Sequence, residues 1–135
     1  MTALLSEGFV IEDQCNFTFL PSVILLQGTI VCLDGLTLEV EKDCYTRGRG
    51  LTALVQTRRF RYHAWIRGRH NVFRYESAHE HRPHAHKHVY ASFGNGTEIE
   101  VIDLTNERLI PTLGEVIREL QSWHAKHAAQ ISELR

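Results

Sequence analysis

The sequence predicts an α+β fold in which an antiparallel, meander-like sheet carries a C-terminal helix packed on one face. Two observations indicate this fold. Short segments of β-rich or alternating sequence follow one another with turn residues between them, and only the C-terminal segment has helical periodicity. The 135 residues suit a single domain. We expect one domain over residues 1–135, with the sheet across 23–104 and the helix across 112–134.

The first part of the sheet begins after an N-terminal element that the sequence leaves ambiguous, residues 1–20. Residues 23–33 are apolar and rich in β-formers, and residues 36–41 alternate between apolar and polar side chains. The pair Asp34-Gly35 stands between them, which is a strong hairpin signal. Residues 46–50, with two arginines and two glycines, predict a loop.

The second part of the sheet surrounds a histidine-rich segment. A long strand is predicted over about 51–66, with a turn at residues 67–69 and a returning strand over 71–77. The histidine segment at 79–88 then runs into a strand that reaches about residue 93. The pair Asn95-Gly96 can turn this strand into another at 97–104.

The C-terminal helix has a recognisable start. Thr112 and Glu115 form a capping-box pattern, and Pro111 just before them disfavours earlier helix. Apolar residues then recur at helical spacing and predict one stripe that packs on the sheet. The stripe consists of Leu113, Val116, Ile117, Leu120, Trp123, Ile131 and Leu134.

Charge is distributed very unevenly along the chain. The formal net charge is −1, yet residues 44–88 carry ten Lys and Arg against two acids, Glu76 and Glu80. From Cys44 to Tyr75 there are eight arginines and no acid, and residues 79–88 hold five of the nine histidines. This basic middle suits an anionic partner such as nucleic acid. With no signal peptide, no membrane-length apolar run and no paired cysteines, we expect a cytoplasmic protein without a membrane partner.

Strand alternation separates the side chains of the basic middle into two faces. In the long strand, Phe60, Tyr62, Ala64 and Ile66 share an apolar face with Arg58. The other face is predicted to gather charged and aromatic side chains from three strands: Arg59, Arg61, His63, Trp65, Arg67, Arg74, His86, His88 and Tyr90.

These residue types meet the needs of RNA cleavage without a metal. A base removes the 2′-hydroxyl proton, an acid protonates the leaving 5′-oxygen, and cations stabilise the charged phosphorane. We expect His86 and His88 to be the acid and base, Arg74 and Arg61 to contact the scissile phosphate, and His63 and His84 to be reserves. The RNA backbone would be bound by Arg58, Arg59, Arg67 and Arg69, while Trp65 and Tyr90 would stack on bases.

Four other interpretations stay open. His84, His86 and His88 alternate along one strand and could ligate zinc in a metal-dependent hydrolase. The chain could also be a non-catalytic nucleic-acid-binding module. Alternatively, its basic surface could serve to bind an acidic segment of a partner protein, and its target would then not be RNA. A structural reading, in which the arginines line a solvated strand face, needs no function at all.

Four segments together resemble the TumE-like proteins, small bacterial toxins of toxin–antitoxin pairs. They are FRYHAW at 60–65, VFRYESA at 72–78, PHAHKH at 83–88 and IPTLGEVI at 110–117. The resemblance covers roughly residues 59–120. Glu76-Ser77 stands where the family tends to have Asp-Asn, and Ala85 interrupts a double histidine. The resemblance implies a growth-inhibiting toxin that acts on RNA and is neutralised by a cognate antitoxin, typically a helix-turn-helix protein. A homodimer is left open.

Overall fold

A computed structural model describes residues 8–47, 54–66, 70–78, 83–91 and 97–134. These residues form an eight-stranded antiparallel sheet and two C-terminal helices, which confirms the predicted α+β class. The strands are β1 (Val10–Asp13), β2 (Asn16–Phe19), β3 (Val23–Cys32), β4 (Thr37–Arg47), β5 (Leu54–Ile66), β6 (His70–Glu76), β7 (Ala85–Tyr90) and β8 (Glu98–Leu104). The helices are α1 (Leu113–Lys126) and α2 (Ala128–Glu133).

From β3 to β8 the sheet is a plain meander, since each strand pairs with the next one along the chain. The predicted hairpin at Asp34-Gly35 is confirmed. A short 3-10 turn over Leu33–Gly35 joins β3 to β4, and Asp34 and Gly35 both adopt positive φ, at 57° and 79°. Left-handed conformation is tolerated best by glycine and next by Asn and Asp, which explains this residue pair. Of the loop predicted at 46–50, Thr46 and Arg47 belong to β4, and residues 48–50 lie outside the described residues.

The ambiguous N-terminal element turns out to be two short strands, β1 and β2, which both pair with β3. The chain between them passes close to Gly28 in the middle of β3. A Cβ at Gly28 would lie 2.4 Å from the carbonyl oxygen of Gln14, so only glycine fits there. The sequence did not indicate this contact, because it depends on which strand lies opposite Gly28.

One face of the sheet, here called the covered face, packs against the helices. Phe60, Tyr62, Ala64 and Ile66 are buried on it, as alternation along β5 predicted. Apolar side chains of the helical stripe meet them: Val116, Ile117, Leu120 and Ile131 are buried, and Leu113, Trp123 and Leu134 pack at the margin. The described residues therefore form two layers, the sheet and the helices.

The helix begins as predicted and ends earlier than predicted. Thr112 accepts a hydrogen bond from the backbone of Glu115, whose side chain accepts one from the backbone of Thr112, completing the capping box. Instead of one helix to residue 134, the chain breaks at His127, whose φ of −117° is not helical. The predicted stripe survives because Ile131 in α2 is still buried.

A polar contact fixes α1 on the sheet. Glu119 accepts a hydrogen bond from the Tyr75 hydroxyl and pairs with the ammonium group of Lys87, both at 2.5 Å. Lys87 also lies over the rings of Phe73 and Tyr75. Lys87 and Tyr75 are cross-strand partners in β7 and β6, so this contact places their side chains on the covered face. The side chains that alternate with them consequently lie on the other face.

Candidate functional site

The second face of the sheet, here called the histidine face, carries two rows of polar side chains that run across the strands. The first, the His63 row, joins Glu39, His63, Arg74 and His88 in register on β4, β5, β6 and β7. The second, the Glu76 row, lies two residues along each strand. It joins Glu41, Arg61, Glu76, His86 and Asp103, from β4 to β8. Five strands of alternating sequence thereby bring charges that are distant along the chain close together.

Glu76 is the centre of the face. One of its carboxylate oxygens, Oε1, lies 3.1 Å from His86 Nε2, 2.8 Å from His88 Nε2 and 3.3 Å from Arg74 Nη2. Burial raises the pKa of Glu76, but the Arg74 charge and the hydrogen bonds from the two histidines outweigh it and leave the pKa below its usual value. Glu76 is therefore ionised in the folded protein at neutral pH.

The opposite nitrogens of the two histidines are also held. Nδ1 of His86 donates to the backbone carbonyl of His84 at 3.2 Å, and Nδ1 of His88 hydrogen-bonds the carboxylate of Glu98. The rings of His86 and His88 meet edge to face, with centroids 4.8 Å apart. His86 is 0% exposed and His88 is 8% exposed, so the two rings are oriented rigidly.

His63 lies in a different environment. Its Nε2 donates to Oδ1 of Asn71 at 2.7 Å, and its Nδ1 accepts from Nη2 of Arg61 at 3.4 Å. Burial is the main reason that the pKa of His63 is lowered; the arginines at 61 and 74 lower it further, and the contacts with Asn71 and Glu39 oppose them. The ring is consequently neutral at pH 7, with a lone pair on Nδ1.

The arginines are compensated by acids, contrary to the uncompensated basic face expected from the sequence. Arg58 and Arg59 both bind Oδ2 of Asp43, at 3.1 and 2.7 Å. Arg61 lies 3.9 Å from Glu39 and 4.0 Å from Glu41, and Arg74 contacts Glu76. The stretch without acids is a property of the linear chain. In the fold, β4 places its three acids beside β5, where they pair with Arg58, Arg59 and Arg61; Arg49, Arg67 and Arg69 lie outside the described residues.

Asp43 shows how two adjacent arginines can reach one acid. The pairing of β4 with β5 shifts register at Asp43 and Cys44, so Arg58 has no direct partner on β4. This bulge brings the Arg58 guanidinium, predicted on the apolar face, to the same carboxylate oxygen as Arg59. The hydrogen bond from Arg59 is the main cause of the lowered pKa of Asp43.

The other residues predicted for the site are only partly described. Arg67, Arg69, His79 and His81 lie outside the described residues. His84 is exposed and precedes β7, so its backbone carbonyl, not its ring, is seen to take part in the cluster. Trp65 and Tyr90 are half-buried on the histidine face, and burial raises the pKa of Tyr90.

Three side chains that hydrogen-bond the histidines of this face were not identified from the sequence as site residues: Glu76, Glu98 and Asn71. Two of them carried a usable signal. Glu76 is two residues after Arg74 and so had to share its face, and Glu98 follows the predicted Asn95-Gly96 turn, which brings it opposite Tyr90. Asn71 carried none, because it lies opposite Trp65 only through a bulge between β5 and β6.

A cavity of about 370 Å³ opens beside the Glu76 row, with Arg59, Arg61 and Glu76 in its wall. Its size is within the range of small-ligand pockets. Polar groups of both signs therefore face a space that can hold part of a substrate.

Comparison with known proteins gives no relative for this chain. No family model matches it, and no match is found among the curated proteins or among the solved structures. The resemblance to the TumE-like toxins stays a prediction from the four segments. Neither of the described helices is both long and apolar enough to cross a membrane.

Proposed function

We propose that the protein is the toxin of a toxin–antitoxin pair and cleaves RNA without a metal, with the His63 row as its catalytic centre. The observation that carries this proposal is the order of the row: Arg74 stands between His63 and His88 on three neighbouring strands. With strands about 4.8 Å apart, the two histidine backbones are separated by about 10 Å. A phosphate bound at Arg74 would thus have one imidazole on each side.

The chemistry requires two proton transfers on opposite sides of the phosphorus atom. A base takes the 2′-hydroxyl proton, the 2′-oxygen bonds to phosphorus, and the bond to the 5′-oxygen breaks as an acid protonates that oxygen. The products are a 2′,3′-cyclic phosphate and a 5′-hydroxyl. Arg74 would stabilise the charge that accumulates on the phosphate oxygens.

His63 is the better base. Its hydrogen bonds with Asn71 and Arg61 define a neutral ring with Nδ1 unprotonated, and burial lowers its pKa. This assignment changes the pair expected from the sequence, His86 and His88. The side chain of His86 is 0% exposed, whereas those of His63 and His88 are 16% and 10% exposed, so a substrate cannot reach His86 in this arrangement.

His88 would supply the proton for the leaving oxygen. Both of its ring nitrogens face carboxylates, Glu76 and Glu98, which can only accept hydrogen bonds. The geometry accordingly favours N–H groups on both sides of the ring. His86 then acts as a positioning residue, because its Nε2 and that of His88 bind the same oxygen of Glu76.

Arg74 has an unused donor for the phosphate. Its Nη2 binds Glu76, whereas its Nε is buried and has no hydrogen-bond partner in the described part of the chain. A buried donor without a partner costs about 1–3 kcal/mol. A phosphate oxygen would remove that cost, which supports a role for Arg74 in binding an anion.

The test is cleavage of purified total RNA by the purified full-length protein in the presence of EDTA. We expect cleavage by the wild type, and at least a 100-fold lower rate for His63→Gln and for His88→Gln. His124→Gln is the matched control, because His124 contacts Asp34 at the hairpin turn, away from the histidine face. Undiminished cleavage by both His63→Gln and His88→Gln would overturn the assignment, and so would absence of cleavage by the wild type.

Toxicity is tested separately, by expression in a bacterial host. We expect growth arrest by the wild type and by His124→Gln, and normal growth with His63→Gln. Arrest by a His63→Gln protein that no longer cleaves RNA would show that the target is not RNA. Binding of RNA without any product would favour the non-catalytic module.

A second candidate function, a metal-dependent hydrolase, is favoured by one observation. Ligand atoms of Glu76, His86 and His88 all lie within 4.8 Å of one another. If EDTA abolished cleavage and zinc restored it, these residues would be the catalytic centre and the metal-free proposal would be wrong.

A further inference from the structure

We propose that Glu76, His86 and His88 form a binding site for one divalent transition-metal ion of the zinc class. This inference is independent of the proposed function, because binding is measured on the protein alone. The ligand atoms are Oε1 of Glu76 and Nε2 of each histidine, and they all lie within 4.8 Å of one another. The site differs from the one that the sequence suggested, since Glu76 replaces His84 as the third ligand.

The spacing of the three atoms is close to what a small ion requires. Zinc binds imidazole nitrogen and carboxylate oxygen at about 2.0–2.2 Å, so tetrahedral ligand atoms stand about 3.4 Å apart. Glu76 Oε1 is 3.1 Å from His86 Nε2 and 2.8 Å from His88 Nε2. The two Oε1–Nε2 distances would have to lengthen by about 0.3–0.6 Å, and the two histidine nitrogens, which lie within 4.8 Å of each other, would have to stand about 3.4 Å apart.

The second argument is that Nδ1, the ring nitrogen opposite the proposed ligand atom, is hydrogen-bonded in both histidines. Metal-binding histidines usually donate their other ring N–H to a carbonyl or a carboxylate, which fixes the ring and turns a lone pair towards the ion. His86 donates Nδ1–H to the His84 carbonyl, and His88 Nδ1 contacts the Glu98 carboxylate. An ion would displace the Nε2 protons that now hydrogen-bond to Oε1 of Glu76, and the Nε2 lone pair of each ring would then face the ion.

Ligand chemistry selects the class of ion. Two imidazoles and one carboxylate suit zinc and its neighbours in the first transition row, whereas magnesium and calcium prefer oxygen ligands only. Three protein ligands also leave a fourth position of a tetrahedral ion available. Arg74 lies 3.3 Å from the same Glu76 oxygen, and its positive charge would have to move from that oxygen when an ion enters.

Occupancy has a consequence for the proposed function. Nε2 of His88 cannot ligate an ion and donate a proton at the same time. Under metal-free cleavage, saturation of the site with zinc should inhibit the enzyme at least 10-fold. If zinc activates cleavage instead, the metal-free proposal fails while the metal site stands.

The direct test is calorimetric titration of the chelator-treated, full-length protein with zinc. We expect one strong site per chain, at least 100-fold weaker in Glu76→Gln and His86→Gln. His84→Gln is the control that separates this site from the sequence-derived one. It should bind zinc with unchanged affinity, because only the backbone carbonyl of His84 contacts the cluster.

A further variant guards against the loss of folding that substitution of a fully buried histidine can cause. The side chain of Glu98 is 41% exposed, and Glu98→Gln weakens the contact behind His88 without changing a buried side chain. We expect it to weaken zinc binding about 10- to 100-fold. Absorption of the cobalt(II) form should show the intense bands of four-coordinate geometry. Zinc affinity that is equal in the wild type, Glu76→Gln and Glu98→Gln would indicate adventitious binding by other histidines and would overturn the site.

Discussion

The two faces of this sheet use the same strands for opposite purposes. On the covered face, Phe60, Tyr62 and Ala64 are buried against α1, and one polar contact, at Glu119, fixes the helix. On the histidine face, Arg61 and His63 alternate with them and enter rows of charged partners. The first face contributes burial of apolar side chains, and the second contributes ion pairs and hydrogen bonds between strands. Selective disruption of each face should therefore give different phenotypes.

The largest effect is expected from the covered face. Leu120 is 0% exposed, and Leu120→Ala should destabilise the protein by about 2–5 kcal/mol through lost burial and the cavity left behind. Urea denaturation measures this change, and any toxic activity should fall with the folded fraction. Ala125→Ser, at an exposed position of the same helix, is the control and should change stability by less than about 0.5 kcal/mol. Equal stabilities of the Leu120→Ala protein and the wild type would show that α1 does not carry the core.

The histidine face should respond less in stability and more in function. Glu76→Gln removes the negative charge shared by Arg74, His86 and His88, which leaves their N–H groups without a charged partner. We expect a loss of about 1–3 kcal/mol in stability, together with loss of RNA cleavage. If cleavage survived at the wild-type rate, the cluster would be only a structural support for the sheet.

These two faces were not equally predictable from the sequence. Burial on the covered face follows from alternation within one strand, so Tyr62, Ala64 and Ile66 could be assigned without knowledge of their neighbours. The Asp34-Gly35 hairpin and the Thr112 cap were predictable for a similar reason, because their signals are local. The break of the helix at His127 was missed, since neither glycine nor proline marks it.

The chemistry of the histidine face depends on which strand lies opposite which. The acid-free stretch from Cys44 to Tyr75 implied an uncompensated basic surface, but the register of β4 on β5 sets Glu41 beside Arg61 and Asp43 beside Arg59. Register is a non-local property, and bulges at Asp43/Cys44 and at Ala64/Trp65 shift it further. Composition therefore drew attention to the arginines and histidines of this face, but it could not show the acids that lie beside the arginines.

Acidification should destabilise the protein through two groups of the histidine face, His63 and Glu76. The folded pKa of His63 lies below its ordinary value of 6.5, so the unfolded chain takes up this proton first and stability falls as pH drops through and below 6.5. The folded pKa of Glu76 lies below 4.5, so its contribution is present above that pH and is lost below it. Both groups make the protein less stable in acid, in two separate windows.

Urea midpoints between pH 7.5 and pH 5.5 isolate the first of these windows. We expect the midpoint to fall over this range in the wild type, and to fall less in His63→Gln, which has no proton to gain at position 63. His124→Gln serves as the comparison because it removes a histidine from the helix side of the molecule. A pH dependence that is unchanged in His63→Gln would contradict the buried, neutral state of this ring.

The smallest expected effect is at Asp43, at the exposed end of the histidine face. It tests whether pairing with this acid limits RNA binding by Arg58 and Arg59. Asp43 neutralises Arg58 and Arg59, whose side chains are 50% and 71% exposed. Exposed ion pairs contribute up to about 1 kcal/mol each, so Asp43→Asn should cost little stability. If these arginines bind RNA backbone, freeing them should raise RNA affinity several-fold and steepen its dependence on salt.

Filter binding of a short single-stranded RNA at several salt concentrations measures this effect. The control is Asp103→Asn, which also removes one negative charge but from β8. Increased affinity in Asp43→Asn alone would show that the acids of β4 restrain RNA binding and that the basic residues of β5 contact RNA. Unchanged affinity and an unchanged salt slope would mean that Arg58 and Arg59 only stabilise the sheet margin. RNA would then have to approach through the His63 row, where Arg74 stands between the two histidines.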